Sequence, residues 1–463
     1  MKFNITDESL ANDLYDVCCL FYPPTLDTEV EVSVDIKQEN EKVTYFISIV
    51  EDNDTNSYVF YYNLDDKNTK RKTLKKAVYS ALSNYTKKKL PWGCLTGIRP
   101  TKLVYDMLRQ GYSKTQSYYD LINNHFVSEK KAKLVMEIID NQQPLIMNDN
   151  LVDFYINIPF CTTRCNYCSF ISAEIDKVRC YIPAYIDALV KEIREAKKII
   201  QDKCLVIKSI YIGGGTPTAL SPNELELILK EVPFNIGEFT VEAGRPDTIT
   251  KEHLDLLKKY GVSRISVNPQ SFNDKVLEAI GRKHTALETI EKYKMAKEYG
   301  FCINMDLIAG LNKDTIKSFQ ESLDIAIQLQ PQNITVHTLA LKRASNYGMG
   351  IEKIESKRKT EKMLDYAYET LPRNGYKPYY LYRQKNMLGN LENCGFTKQG
   401  YACTFNIDSM EEITSVIACG ANAISKRIFL EENRIERQAN VKDVKVYLEK
   451  IDELIEKKKE LFK

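Results

Sequence analysis

Three cysteines in one short loop are the residues of this sequence that point most directly to chemistry. Cys161, Cys165 and Cys168 follow the spacing C-x3-C-x2-C. Three thiolates can hold three corners of a cubane [4Fe–4S] cluster and leave its fourth iron without a protein ligand. A zinc site would need a fourth ligand, and no histidine or further cysteine follows at the usual spacing. The loop therefore predicts a [4Fe–4S] cluster with one iron open to a small molecule.

A second group of polar residues and glycines follows predicted strands further along the chain. The group consists of Gly213, Gly214, Gly215, Thr216, Glu242, Gln270, Arg282 and Asp306. Successive glycines expose backbone groups to a ligand, although this run lacks the lysine of a phosphate-binding loop. Any one of the polar residues could simply cap a helix. Because parallel strands end at one edge of a sheet, the set together predicts a ring around one cavity.

Alternating strands and helices from about residue 151 must position these groups. The predicted strands are Asp153–Ile158, Lys208–Ile212, Glu238–Glu242, Arg264–Asn268, Cys302–Ala309 and Asn333–Leu339. Helical patterns separate them, and such repeated units imply parallel strands with function at their carboxyl ends. Six units instead of eight predict an α/β fold, a partial (β/α)6 barrel open on one side.

The flanking regions lack this regular alternation of strands and helices, so we predict three domains with the boundaries 1–150, 151–345 and 346–463. The first region is α+β, with strands at Glu29–Ile36, Val43–Val50 and Tyr58–Tyr62, and apart from its Gly97–Thr101 turn it shows no cluster of groups with recognisable chemistry. The last region is also α+β, with strand-like Tyr376–Arg383 and Ile413–Cys419. Its terminal Lys/Glu run predicts a solvated helix face.

Composition restricts the class of protein. The 463 residues are 43% hydrophobic and 28% charged, as in water-soluble globular proteins. A net charge of +2 from 65 basic and 63 acidic residues gives no overall bias toward nucleic acid or membranes. Neither an apolar run of roughly 18 residues nor a signal peptide is visible. We expect a cytoplasmic monomer whose twelve cysteines are mostly reduced.

The motifs together resemble a known superfamily. Tyr155-Ile-Asn-Ile-Pro-Phe-Cys161, the cysteine loop, Gly213–Pro217 and the later polar residues resemble the radical S-adenosylmethionine (radical SAM) superfamily. Within it, they are similar to the oxygen-independent coproporphyrinogen III oxidase family. The resemblance runs from about residue 150 to the C-terminus. Pro91–Gly93, Gly97–Thr101 and Tyr380–Asn393 resemble the longer coproporphyrinogen dehydrogenase subgroup.

The resemblance implies two cofactors, a [4Fe–4S] cluster on the three cysteines and S-adenosylmethionine on its open iron. By matched position, Gly213, Gly214, Gly215 and Thr216 would border the methionine portion, and Glu242 would contact its ammonium group. The carboxylate and ribose would be held by Gln270, Arg282 and Asp306. Tyr155 and Phe160 would support the cofactor near the cluster, and Tyr155 would also be catalytic.

The implied reaction is oxidative decarboxylation of coproporphyrinogen III propionates to vinyl groups, giving protoporphyrinogen IX in haem biosynthesis. A reduced flavodoxin- or ferredoxin-type protein would donate the electron. Arginines suit a substrate with four carboxylates, because guanidinium groups pair carboxylates bidentately. Arg343 and Arg383 are the candidates, although either could form a surface salt bridge instead.

Two departures from the oxidase pattern leave alternatives open. Well-known oxidases carry a further cysteine where this chain has Phe170, and a histidine where it has Asn157. A sister group, the radical-SAM-type haem chaperones, shares the three cysteines without the fourth, and its members bind and deliver haem. A haem chaperone is therefore the alternative function, and another radical enzyme is the third.

Overall fold

The computed structural model describes residues 1–22, 29–52, 54–65, 69–97, 99–142, 147–168, 173–232, 237–340, 353–384 and 387–463. The chain divides into two compact units. The first comprises Met1–Glu137 together with Arg383–Leu391, and the second comprises most of the rest, from Ile138 to Lys463. The boundaries predicted at 150 and 345 stay predictions. None of the described helices combines the length and the apolar character that crossing a membrane requires.

The first unit is built around a four-stranded sheet. Its strands are β1 (Lys2–Ile5), β2 (Glu31–Glu39), β3 (Lys42–Glu51) and β4 (Asp54–Asn63), in that order across the sheet. Valine, isoleucine and tyrosine alternate with polar residues in β2 and β3, as a half-buried strand requires, and pack on α1 (Ala11–Phe21) and α2 (Lys70–Thr86). Helices α3 (Pro100–Arg109), α4 (Lys114–Asn123) and α5 (Glu129–Asn141) follow. The three strands predicted for this region are confirmed.

The second unit contains an eleven-stranded sheet with a parallel centre. The elements of this unit as far as its sixth core strand are β5 (Leu151–Ile158), β6 (Phe160–Cys161), β7 (Ala173–Glu174), α6 (Ile182–Asp202), β8 (Val206–Gly214), α7 (Pro222–Leu229), β9 (Glu238–Val241), α8 (Lys251–Lys259), β10 (Arg264–Ser266), α9 (Asp274–Ala279), α10 (Ala286–Glu298), β11 (Cys302–Ala309), α11 (Ile316–Leu329) and β12 (Asn333–Thr338). Strands β5, β8, β9, β10, β11 and β12 are successive parallel neighbours. The predicted α/β fold with six parallel core strands is confirmed.

The C-terminal elements extend this same sheet at both edges. They are α12 (Lys353–Arg373), β13 (Lys377–Tyr382), β14 (Asn393–Thr397), α13 (Thr404–Glu411), β15 (Ser415–Cys419), β16 (Ile424–Phe429), β17 (Arg434–Ala439) and α14 (Val444–Leu461). Strand β14 pairs with β12 in antiparallel orientation, whereas β15 lies parallel to β5. The two strands predicted in this region, Tyr376–Arg383 and Ile413–Cys419, are confirmed to within two residues at each end.

The terminal helix α14 is only partly solvated, which corrects the prediction from its charge pattern. Lys458 is 1% exposed and its ammonium group lies 2.5 Å from a carboxylate oxygen of Glu192 in α6. Glu192 also accepts hydrogen bonds from Tyr447 and from the backbone of Gly420. A buried charge needs such a complete set of partners. The burial of Lys458 was not predicted, because the sequence alone does not show which residues of the lysine-rich helix face α6.

Candidate active site

The six core strands present two contrasting faces. One face is mostly apolar, with fully buried side chains such as Ile156, Ile212 and Val241, although Thr338 at the end of β12 also lies on it. The other face carries a polar or aromatic side chain at nearly every position, because side chains alternate between the faces of a strand. Strand by strand, these residues are Asp153, Tyr155 and Asn157 on β5; Ser209, Tyr211 and Gly213 on β8; Glu238, Thr240 and Glu242 in and just after β9; Arg264, Ser266 and Asn268 in and just after β10; Cys302, Asn304 and Asp306 on β11; and Asn333, Thr335 and His337 on β12.

The cysteine loop lies at the carboxyl ends of these strands, directly after β5. Cys165 is buried, and Cys161 and Cys168 are partly exposed. Two side chains direct N–H or O–H groups at the sulfurs, because the Thr216 hydroxyl lies 3.6 Å from Cys161 Sγ and Arg245 Nη1 lies 3.8 Å from Cys165 Sγ. Hydrogen bonds to thiolates stabilise their negative charge and tune iron–sulfur sites.

Backbone contacts fix the loop against the neighbouring strand ends. The Thr216 amide donates to the Phe160 carbonyl over 2.7 Å, and the Asn166 amide donates to the Ile280 carbonyl over 3.1 Å. Gly215 allows the first contact, since a Cβ there would lie 2.4 Å from the Phe160 oxygen. The structure thus brings Thr216 and Gly215 to the cysteine loop, as their predicted place at one edge of the sheet requires.

Arg245 contacts the cysteine loop, although the sequence did not predict it as a site residue. It is 3% exposed, donates to the Thr163 carbonyl as well as to Cys165, and forms a two-point salt bridge with Asp247. The Asp247 carboxylate also accepts from the Thr162 hydroxyl. Burial opposes its charge, but His284 and Arg245 hold the pKa of Asp247 well below its usual range. The available signal in the sequence was the position of Arg245, three residues after Glu242 at the end of a core strand.

Glu242 is a partly buried carboxylate with spare acceptor capacity. Tyr211 donates to its Oε1 over 2.5 Å. A Cβ on Gly213 would lie 2.8 Å from its Oε2, so glycine makes room for the carboxylate. Burial, reinforced by the negative charge of Asp306, raises the pKa of Glu242 to about 7. A ligand ammonium group would relieve this cost by pairing with the charged form.

Gln270 and Arg282 hold buried polar atoms that have no hydrogen-bond partner among the described residues. These atoms are Gln270 Oε1 and the Nε and Nη1 of Arg282. Gln270 also has a left-handed backbone with φ of +66°, which is uncommon for a bulky residue. The third guanidinium nitrogen, Arg282 Nη2, donates to the Tyr167 hydroxyl within the cysteine loop over 2.9 Å. Buried groups of this kind mark a place where a polar ligand would supply the missing partners.

Asp306 lies on the same polar face as Glu242 but has different electrostatic surroundings. Its carboxylate accepts from Asn304 over 2.8 Å and lies 3.6 Å from the His337 ring. Although burial opposes the charge, His337 and Asn304 lower the pKa of Asp306. His337 was not predicted as a site residue. Its alternation with Thr335 along β12 was the available signal.

Tyr155 belongs to an aromatic stack inside the sheet's polar face. Its ring is nearly parallel to Phe405 of α13 at 5.8 Å, and Phe405 stacks on Tyr211 at 4.4 Å. The Tyr155 hydroxyl donates to Asn157 Oδ1 over 2.9 Å, and the Asn157 amide donates to the Ala421 carbonyl. Gly214 is required beside it, because a Cβ there would lie 2.1 Å from Asn157 Oδ1. Asn157 therefore joins β5 to the turn after β15.

Three predicted residues have other outcomes. Arg343 and Phe170 lie outside the described residues. Arg383 is 6% exposed and belongs to the first unit, where it donates to the Leu95 carbonyl over 2.6 Å and lies over the Trp92 ring. Its assignment to a substrate carboxylate stays a prediction.

The site fits an iron–sulfur cluster better than a single metal ion. In the part of the chain described, no three His, Cys, Asp or Glu side chains converge as ligands of one ion. A cubane binds each thiolate through a different iron and so separates the three sulfurs. Three free thiols in one loop, two hydrogen-bond donors aimed at sulfurs and a cationic guanidinium beside them form a suitable setting for an anionic thiolate cluster.

Comparisons with known proteins agree with this geometry. Residues 155–326 match the family model of the radical SAM superfamily. The chain is 36% identical to the "Oxygen-independent coproporphyrinogen-III oxidase-like protein HemZ" of Bacillus subtilis, over 97% of this chain and 94% of that protein. It is also 36% identical to the "Heme chaperone HemW" of the same organism, but over 40% of this chain and 49% of the chaperone.

A solved structure supports the fold. The coproporphyrinogen III oxidase HemN of Escherichia coli, a radical SAM enzyme, superposes with a TM-score of 0.52 over 65% of this chain and 69% of its own, at 23% identity. Radical SAM proteins use a [4Fe–4S] cluster and S-adenosylmethionine, so both predicted cofactors are confirmed for this chain. The chain belongs to the radical SAM superfamily and, within it, to the family of oxygen-independent coproporphyrinogen III oxidase-like proteins.

Proposed function

We propose that this protein catalyses the oxygen-independent decarboxylation of coproporphyrinogen III propionates to vinyl groups, giving protoporphyrinogen IX. The observation that carries the proposal is the 36% identity to an oxidase-like protein along 97% of the chain. That similarity includes both compact units, whereas the match to the haem chaperone covers 40% of the chain. The buried polar site at the strand ends supplies the setting in which such chemistry would occur.

The cluster would be held by Cys161, Cys165 and Cys168. Thr216 and Arg245 would stabilise the thiolates, because each directs a donor at one of the sulfurs. When bound together, the cluster and S-adenosylmethionine supply a radical that removes a hydrogen atom from the substrate. Arg245 is itself fixed by the carboxylate of Asp247, so the position of its donor is set before any cofactor arrives.

The ammonium group of S-adenosylmethionine would bind Glu242, whose carboxylate lacks a cationic partner within hydrogen-bonding distance in the described structure. Its carboxylate and ribose would take the open positions on Arg282 and Gln270, with Asp306 nearby. Gly213 and Gly214 would let the cofactor approach the backbone. The stacked rings of Tyr155, Tyr211 and Phe405 would form an apolar floor that limits the access of water to the site.

Each conversion would remove one hydrogen atom, one carbon dioxide and one electron from a propionate side chain, leaving a vinyl group. An electron acceptor must take that last electron, and a flavodoxin- or ferredoxin-type protein would reduce the cluster beforehand. Exclusion of water matters at this step, because a reactive intermediate in an open site is quenched by solvent.

The test is an anaerobic assay of the reconstituted protein. The cluster-loaded chain is incubated with S-adenosylmethionine, a chemical reductant and coproporphyrinogen III, and the porphyrins are separated after oxidation. We expect 5′-deoxyadenosine together with mono- and divinyl products. Deoxyadenosine without any vinyl product would rule out the oxidase.

Haem delivery is the second candidate, favoured by the 36% identity of a 193-residue stretch to a haem chaperone. Haem titration of the same preparation separates the two. Tight stoichiometric haem binding with no vinyl product would assign the chain to the chaperone class.

A further inference from the structure

We propose that the first unit contains a second binding site, which takes an oxyanion group, either a carboxylate or a phosphate. The site is a cavity of about 220 Å³ between α2, the start of α3 and the chain at 94–97. Lys72, Lys75, Arg99 and His125 line it, and its described lining includes no acidic residue. This inference is independent of the function proposed for the second unit.

Cationic side chains around the cavity are held in place by neighbouring residues before any ligand binds. Lys75 is held 2.9 Å from the carboxylate of Asp13 and donates to the Thr96 hydroxyl over 3.0 Å. Asp13 also binds Arg71 over 2.7 Å, so this one carboxylate serves two cations. Lys72 and Arg99 add further positive charge to the lining. Lys72, Lys75 and Arg99 in the lining thus outnumber the two carboxylates beside it, Asp13 on Lys75 and Asp120 on His125, and this excess of positive charge favours an anion.

The start of α3 adds neutral donors to this charge. Arg99 precedes the helix, Pro100 is its first residue, and no side chain caps its first turn. Amides of an uncapped first turn favour anions, and the helix dipole acts in the same direction. In the same turn, the hydroxyl of Thr101 is fully buried and has no hydrogen-bond partner among the described residues. The cationic lining and the uncapped turn thus point to the same ligand chemistry.

Residues of two sequence motifs, Pro91–Gly93 and Gly97–Thr101, lie in or beside the wall of the cavity. The Cys94 amide donates to the His125 carbonyl over 3.0 Å, and a Cβ on Gly93 would lie 2.0 Å from that oxygen. Arg383 holds the next residue through the Leu95 carbonyl and lies 5.5 Å from the centre of the Trp92 ring. Chain segments far apart in sequence therefore fix the shape of this one cavity.

The size of the cavity restricts its ligand. Sites for drug-sized molecules occupy about 300–1,000 Å³, so this one suits a single anionic group and a few attached atoms. Lysine ammonium groups bind carboxylate and phosphate as point charges, while arginine can bind either as a fork. The two sources of such a group are a carboxylate arm of an organic acid and a phosphate.

The experiment uses the full-length, cluster-loaded protein at low ionic strength. Trp92 is the only tryptophan of the chain and lies beside the cavity wall, so its fluorescence reports on this site. Inorganic phosphate is the first probe. Coproporphyrin III, a stable tetracarboxylate, is the second, and calorimetry follows its binding with and without phosphate. We expect at least one probe to bind; phosphate competition with coproporphyrin III would identify a carboxylate arm, and binding of phosphate alone would identify a phosphate ligand.

A double variant tests the residues. Lys72→Gln with Arg99→Gln should weaken binding by about tenfold or more, because each removes a charged contact. Lys114→Gln with Lys133→Gln, both at exposed positions of the same unit, removes the same charge elsewhere and should leave affinity unchanged. Lys72→Glu, at an exposed position that tolerates change, must weaken binding as well. The proposal fails if neither probe binds at millimolar concentration, or if the control pair loses as much affinity.

Discussion

Glu238 and Glu242 stand at opposite ends of β9 and on the same face of the sheet, yet their surroundings differ. The Glu238 carboxylate accepts from the backbone amides of Thr404 and Phe405 over 2.9 and 3.1 Å, and it lies 3.6 Å from Arg264. Glu242 has one side-chain donor, Tyr211. One end of the sheet thus uses a partly buried carboxylate to fix helix α13, and the other end holds a carboxylate with open acceptor positions.

The comparison shows how one scaffold separates stability from chemistry. A buried carboxylate with several donors stabilises the fold, whereas one with open positions costs stability until a ligand arrives. The raised pKa of Glu242 expresses that cost. Because the folded-state value lies above the ordinary one, the free energy of unfolding of the cofactor-free protein should fall as pH rises toward 7.

The largest expected effect comes from the cysteine loop at the ligand end. Cys165→Ala should abolish the visible absorbance of the cluster and all cleavage of S-adenosylmethionine, because a cubane needs its third thiolate. The thermal unfolding midpoint of the cofactor-free protein should change little. Cys180→Ala, at an exposed thiol outside the loop, is the matched control and should retain both properties. An intact cluster spectrum in Cys165→Ala would refute the ligand assignment.

Substitution of the two glutamates should affect different quantities, cofactor affinity for Glu242 and the free energy of unfolding for Glu238. Glu242→Gln should weaken S-adenosylmethionine binding by about a hundredfold, since a charged hydrogen bond contributes about 1.5–3 kcal/mol, with no loss of unfolding free energy at pH 8. Glu238→Gln should lower the unfolding free energy by about 2 kcal/mol and leave cofactor affinity within about threefold. Calorimetry and urea unfolding measure the two quantities. The proposed difference between Glu238 and Glu242 would be refuted if both variants lost cofactor affinity or both lost unfolding free energy.

A smaller effect is expected from pH. With a pKa of about 7, Glu242 is mostly ionised at pH 8 and mostly neutral at pH 6. Affinity for S-adenosylmethionine should therefore fall about tenfold as pH is lowered across that interval. The Glu242→Gln variant should show a flat profile over the same range. A slope that persists in the variant would assign the titration to another group.

The smallest effect should come from Tyr155. Tyr155→Phe keeps the ring that stacks on Phe405 and removes only the hydrogen bond to Asn157. We expect the unfolding free energy to fall by about 1 kcal/mol, with unchanged cluster content and cofactor affinity. A loss of turnover of a hundredfold or more at intact cofactor binding would instead establish the predicted catalytic role of the hydroxyl.

Local patterns were sufficient to predict the six core strands and the position of the cysteine loop. Strand alternation and loop spacing are local properties of a chain, so they are readable from sequence. The contacts of Arg245 with Cys165 and of Phe405 with Tyr155 were not predicted. They join segments 80 and 250 residues apart, and no local pattern encodes which distant elements meet.

The first unit shows the same limit. Arg383 was predicted to bind a substrate carboxylate because arginine suits that chemistry, but its visible partners are the Leu95 carbonyl and the Trp92 ring. Residue type alone does not distinguish a ligand contact from a backbone contact. Helices α1, α4 and α5 were also not predicted, because their positions depend on packing against elements formed elsewhere in the chain.

The bond between Asn157 and the Ala421 carbonyl has a consequence for biogenesis. The two residues are 264 positions apart, and β15, just before Ala421, supplies the parallel neighbour of β5. At about 5–20 residues per second, the ribosome needs roughly 13–50 s to make the intervening chain. Throughout that time β5, which the cysteine loop follows, lacks its parallel neighbour β15. We therefore expect stable insertion of the cluster to follow the synthesis of β15.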